Sequence, residues 1–199
     1  MIQFLAEKTA LYLAKDCADA DVEVLKYGYY LLYQEWIVKF GALLVAIPFG
    51  LFFHVLVAIV AFILIRRCAI GAHAKYPIVC RIITYTVWFG PAVLAGIFSF
   101  RFTLIHFIGL YVFGIISLLL YAPAETEVKK VPTPQMHKRL KLESIVWLSF
   151  LFIVAVVIQG TLPDIAFVIT ATATLACCMV HPWMYWVNGF DPVTRESRR

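Results

Sequence analysis

The sequence predicts an all-α, polytopic integral membrane helical bundle, with six transmembrane helices following an N-terminal amphipathic helix. Three observations lead there. Apolar residues make up 63% of the chain and charged residues only 15%, far from the roughly one-half and one-quarter of soluble domains. The charges gather in a few short stretches, separated by apolar runs long enough to cross about 30 Å of hydrocarbon. Those runs are continuously apolar, not alternating with period two, which excludes the pattern of β-barrel strands.

From the N-terminus, residues 1–20 repeat apolar positions at helical spacing, among them Ile2, Leu5, Leu11 and Leu13, with lysines and aspartates between. A short helix lying in the membrane interface is expected. Glu7, Lys8, Lys15, Asp16 and Asp19 interrupt any long apolar core, so no cleavable signal peptide is expected. Four clear apolar runs follow, at 40–65, 82–100, 102–121 and 145–187. The last is long enough for two helices, with Gly160, Pro163 and Asp164 at their turn. Segment 22–38 is rich in tyrosine yet carries Glu23, Lys26 and Glu35, so hydropathy alone leaves it between span and interface.

Charge decides the count. Arg66, Arg67, Lys75 and Arg81 follow the first clear run; Lys129, Lys130, Lys138, Arg139 and Lys141 precede the last; Arg195, Arg198 and Arg199 end the chain. Only Arg101 and the turn near Asp164 fall on the other side. Most of the 17 basic residues therefore share one side, the cytoplasmic one by the positive-inside rule. Keeping Lys8 and Lys15 inside as well requires 22–38 to cross, which gives six spans with both termini inside. The net charge of +5 is thus explained by topology, and nucleic acid is not an expected partner. Five cysteines, Cys17, Cys68, Cys80, Cys177 and Cys178, are odd in number and irregularly spaced, unlike a disulfide framework. The whole chain, 1–199, reads as one membrane domain, with membrane lipids as its surroundings. Its cytoplasmic features are a loop at 66–81 and a second, basic loop at 122–143.

The segment at 66–81 carries the chemistry. It contains Arg66, Arg67, Cys68, Gly71, His73, Lys75, Pro77, Cys80 and Arg81. In an unbroken helix His73 and Cys80 would stand about 10 Å apart along the axis, too far for proton transfer. Gly71 and Pro77 argue for a break, so that a folded-back loop brings imidazole and thiol within hydrogen-bond reach. The nucleophilic form of a thiol is its anion, which Arg66, Arg67, Lys75, Arg81 and a protonated His73 would all favour. On spacing alone a histidine seven positions before a cysteine is a weak pattern. The same residues would serve as an interfacial imidazole and a packing thiol. A metal site built from Cys68, His73 and Cys80 has irregular spacing and no acidic partner, so no metal and no cofactor is expected.

Arg66 and Arg67, Gly71 to Lys75 and Cys80 resemble the signature of the AgrB family, the accessory gene regulator B membrane cysteine endopeptidases of Gram-positive bacteria. Tyr121 to Ala124, Lys129, Lys130 and the stretch from Lys138 to Lys141 resemble that family's second cytoplasmic loop. The resemblance implies His73 and Cys80 as the catalytic pair. It also implies supporting or substrate-binding places for Arg66, Gly71, Lys129 and Lys130, and a small hydroxyl at Thr84. Ile70 departs from the glycine that many members carry there. The implied substrate is an AgrD-like propeptide with an amphipathic leader, a central signal and an acidic tail. It would be cleaved on the cytoplasmic side of a Gram-positive cell membrane and closed into a thiolactone or lactone quorum-sensing signal. A homodimer is implied by family alone.

Two rivals stand beside this reading. A small membrane transporter or peptide exporter without proteolytic activity would need polar groups along a path at mid-membrane, where the spans offer little beyond His54 and His106. Those two are expected to be neutral and bonded to neighbouring helices. A non-catalytic scaffold would need no reactive Cys80. Cys177 and Cys178 read as packing residues, and Ala92 with Gly96 as a close helix contact.

Overall fold

The computed structural model describes residues 2–14, 22–70, 77–124 and 133–187. Among them the chain is an all-α membrane bundle of eight helices and one 3-10 turn, with no strand beyond an isolated pairing of Ile70 with Ala124. It divides into two units, Met1–Phe52 and Phe53–Arg199.

In the first unit α1 (Ile2–Ala14) packs along α2 (Val22–Ala46). Fully buried Ala6 and Ala10 let the two backbones approach. Glu7 pairs with Lys26 at 3.3 Å and Thr9 Oγ1 meets the Tyr33 hydroxyl at 2.8 Å. The other face of α1 exposes Phe4, Leu5, Leu11 and Tyr12, with the Lys8 ammonium 4.6 Å from the Phe4 ring centroid. α2 continues through Phe40 and ends at Ala46. The run expected at 40–65 is therefore the end of one helix and most of the next. Pro48 cannot donate to a helix, and Gly50 takes φ +68, letting the Leu51 N–H close on Ala46 O at 3.0 Å. Hydropathy averages across such a turn, because its residues are themselves apolar.

The second unit holds α3 (Phe52–Ala69, apart from its first residue), α4 (Pro77–Phe98), the 3-10 turn Ser99–Arg101, α5 (Leu104–Tyr121), α6 (Pro134–Ile158), α7 (Pro163–Cys178) and α8 (Pro182–Val187). Six helices, α2 to α7, thus occupy the segments read as spans. Four stretches among the described residues are long and apolar enough to cross a membrane: Phe52–Ala69, Ile78–Arg101, Leu104–Tyr121 and Pro134–Ile158. α7 is apolar but has only 16 residues. It is the hub of the unit, packing on α4, α5 and α6, and nine of its residues are buried. Alanines and threonines dominate that set, so neighbouring backbones come close. Thr170 and Thr174 donate to the carbonyls of Ala166 (2.9 Å) and Thr170 (2.8 Å), which satisfies their hydroxyls in an apolar interior.

Gly114 on α5 marks the tightest packing. A Cβ there would stand 2.8 Å from Leu148 Cδ2 on α6 and 3.5 Å from Cys177 Sγ on α7. At the expected contact on α4, Ala92 is buried, but Gly96 has nothing within 4 Å of a built Cβ. α6 begins well before its apolar run. Thr133 caps it, accepting from the Met136 N–H at 3.3 Å, and Pro134 opens it, so the second half of the stretch read as a loop at 122–143 is helical. His106 caps its own helix: its Nδ1 accepts from the Thr103 N–H at 3.2 Å. His54 Nδ1 is buried with no hydrogen-bond partner among the described residues.

Candidate active site

The two ends of the second unit differ in chemistry. At one end Ser99 donates to Asp164, tying the 3-10 turn to the start of α7, and Phe102 stacks edge-on against Phe167 and Phe107. At the other end, where α3 and α5 finish and α4 and α6 begin, lie Arg66, Arg67, Lys138, Arg139 and Lys141. The Lys141 ammonium donates to the Leu119 carbonyl, covering the free carbonyl end of α5. Glu143 and Asp164 are the only carboxylates among the described residues of this unit, and Glu143 is the one at the basic end.

Cys80 lies in the first turn of α4, part-exposed, at this basic end. The turn starts at Pro77, which suits a first helical position because its missing N–H would have no partner there anyway. The amides of Ile78, Val79 and Cys80 likewise have no carbonyl a turn earlier within the helix, and together they give this end a partial positive charge. One turn further, Thr84 Oγ1 donates to the Cys80 carbonyl at 2.8 Å, so the expected hydroxyl is committed to the backbone of the cysteine. Arg66 occupies the last turn of α3, its guanidinium carbon 6.0 Å from the Phe62 ring centroid. Phe62 in turn meets Trp88 of α4 edge-on at 6.2 Å. Gly71, His73, Lys75, Lys129 and Lys130 lie outside the described residues.

The segment leading to His73 has a specific root. Ile70 sits at φ +59, in the left-handed region, and its N–H bonds to Arg66 O at 3.1 Å, closing α3 with a single bond of the kind that usually uses glycine. For an L-residue this conformation costs roughly 1–2 kcal/mol. The side chain is 5% exposed. Beside it, Ala124 donates its N–H to Ala69 O at 3.0 Å and pairs in parallel with Ile70. Ala122, Pro123 and Ala124 are all buried. Ile70 and Ala124, the last described residues before His73 and before Lys129, are therefore paired side by side.

Two further groups at this end escaped the sequence reading. Glu143 accepts from the Cys68 thiol at 3.6 Å and from Arg139 Nε at 2.7 Å. His181, just after α7, bonds through Nε2 to Ser117 Oγ at 2.9 Å and stacks on Phe113 and Tyr121. Ser117 spends its proton on Phe113 O at 2.7 Å, so its oxygen accepts from His181, which fixes the proton on Nε2. The Cys68–Glu143 and Ser117–His181 contacts join residues 75 and 64 positions apart, and no local pattern announces them.

A family profile described as Accessory gene regulator B matches residues 6–182. Among curated proteins, AgrB-like protein 2 of Clostridium perfringens (strain 13) is 29% identical over 76% of this chain and 72% of its own length. Accessory gene regulator protein B of Staphylococcus aureus (strain bovine RF122) is 34% identical over 58% of this chain, and the match spans 60% of that relative. An AgrB-like protein of C. perfringens (strain SM101) is 29% identical over 66% of this chain and 64% of its own length. No solved structure matches the chain. With Arg66, Arg67 and Cys80 of the signature at the basic end of the bundle and the family profile matching nearly its whole length, the chain belongs to the accessory gene regulator B (AgrB) family.

Proposed function

We propose that this protein is a membrane-embedded cysteine endopeptidase that cleaves an AgrD-like propeptide on the cytoplasmic side and helps close it into a cyclic thiolactone or lactone quorum-sensing signal. The observation that carries the reading is the position of Cys80. It is a part-exposed thiol in the first turn of α4, directly after the segment bearing His73 and at the end of the bundle where basic side chains collect.

The chemistry follows from that position. His73 takes the thiol proton, and the Cys80 thiolate attacks the carbonyl joining signal to tail. The negative charge on the tetrahedral oxygen is met by the backbone amides of the first turn of α4 and by the Arg66 guanidinium. His73 then protonates the leaving amine, the acidic tail departs, and the signal remains as a thioester on Cys80. A thiol or hydroxyl of the signal attacks this thioester, releasing Cys80 and closing the ring. Exchange of one thioester for another is nearly balanced in energy, whereas a thioester made directly from an amide is uphill. A site at the membrane face, between spans, supports the exchange by excluding water from the acyl-enzyme. Lys129 and Lys130 complement the acidic tail, and the bilayer surface gathers the amphipathic leader. The host is a Gram-positive cell whose membrane the chain crosses six times with both termini inside.

The test uses purified protein in lipid with a synthetic propeptide. Cys80→Ser and His73→Ala should each abolish cleavage while thermal unfolding stays that of the parent. Cleavage retained in both variants refutes the proposal.

A further inference from the structure

We propose that Glu143 is a positioning residue for the peptidase centre, holding the root of the His73 segment in place through Cys68; this rests on the cysteine-peptidase reading above. Cys68 is one residue from Ala69 and two from Ile70, where α3 ends and the chain turns towards His73. Its thiol is 2% exposed and points at a carboxylate oxygen of Glu143 on α6. The second oxygen of the same carboxylate accepts from Arg139 one turn earlier, which fixes its orientation. The positive charge of Arg67, the next residue before Cys68, also acts on Glu143. α6 thereby grips the last turn of α3 from one side while Ala124 grips Ala69 O from another.

A grip is needed there because Ile70 is held in a backbone conformation an isoleucine disfavours. Without outside ties, the last turn of α3 would relax towards an ordinary conformation and redirect the following residues. His73 begins three positions later, and reactions of this type lose about a hundredfold when reacting groups move by roughly 1 Å. As the single described carboxylate at the basic end, Glu143 is placed where its acceptor function toward Cys68 is used.

The experiment compares Glu143→Ala, Glu143→Gln, Cys68→Ala, Cys68→Ser and the double Glu143→Ala/Cys68→Ala variant in lipid. Two readouts are taken: propeptide cleavage, and the pH profile of iodoacetamide alkylation at Cys80, located by peptide mass spectrometry. Glu143→Ala and Cys68→Ala should each lower kcat about ten- to a hundredfold with KM little changed, and the double variant should be no worse than either single one. Glutamine at 143 keeps an acceptor and serine at 68 keeps a donor, so both should restore most of kcat. The alkylation profile of Glu143→Ala should move towards that of His73→Ala, and Glu143→Gln should not move it. Additive losses, or a Glu143→Ala kcat within twofold of the parent, overturn the proposal and leave the peptidase reading intact. Absence of cleavage in the parent, with the alkylation profile still responding to Glu143, removes the peptidase reading and leaves the positioning role standing. An alkylation profile indifferent to both Glu143 and Cys68 overturns the positioning role whatever the cleavage result.

Discussion

At φ +59, the backbone of Ile70 would suit glycine, yet its side chain is buried beside Ala124. A glycine at position 70 should therefore give a more stable protein than an alanine, by about 1 kcal/mol, reversing the usual order of the two in regular structure. Urea unfolding of Ile70→Gly and Ile70→Ala in detergent checks this, and equal stability would place the strain elsewhere. The family resemblance identified this position as a departure from glycine, but only coordinates give the reason, since φ is not written in composition. His181 is a second residue-scale case: its Nε2 meets Ser117 Oγ at 2.9 Å and its ring stacks on Phe113 and Tyr121, contacts made by a residue that no sequence pattern singles out.

Among the elements, α7 shows what hydropathy cannot reveal. Its apolar length and its turn at Gly160 were legible, whereas its central position depends on which faces of three other helices turn towards it. Gly114 supplies the contact that lets α5, α6 and α7 meet, and Gly96, which the small-residue spacing singled out, supplies none. Gly114→Ala should destabilise the bundle by roughly 1–3 kcal/mol through overpacking against Leu148, and Leu148→Val should recover part of the loss. Gly96→Ala should be neutral or stabilising by up to about 1 kcal/mol, as for a helix interior with free space. Thermal unfolding of the three variants decides the matter; equal losses at both glycines would contradict this packing. The start of α6 was legible in principle, because Thr133 and Pro134 are a cap and a first helical residue. Charged residues beyond them masked the signal, although a helix can carry charge once it leaves the hydrocarbon. Cys68 and Glu143, 75 positions apart, met without any such local sign.

For the molecule as a whole, charge distribution and structure lead to the same division into ends. Arg66, Arg67, Arg139 and Lys141 gather where α3 and α5 end, while Arg101 and Asp164 lie at the far end of α4 and the start of α7. Cysteines placed at exposed Lys138 and Arg101, in a chain whose native cysteines are serine, should label differently with a membrane-impermeant maleimide. Position 101 should react in intact cells and position 138 only after lysis. The reverse pattern would put the candidate site outside the cell. The membrane class and the helix segments, apart from the break after Ala46 and the early start of α6, were legible because apolar length and local charge are sequence properties, whereas Cys80 was singled out by family resemblance. The shared junction of Ala69 and Ile70 with Ala124 was not, because it joins loops separated by two spans.

The central claim, that Cys80 carries the substrate as a thioester, is tested most directly by intact-mass measurement of the protein in lipid after brief incubation with propeptide and acid quenching. The account predicts an adduct equal in mass to the leader-plus-signal fragment less one water, located on Cys80, removed by neutral hydroxylamine and missing in Cys80→Ser. Release of the acidic tail at the parent rate from Cys80→Ser, with no such adduct on the parent, would contradict it.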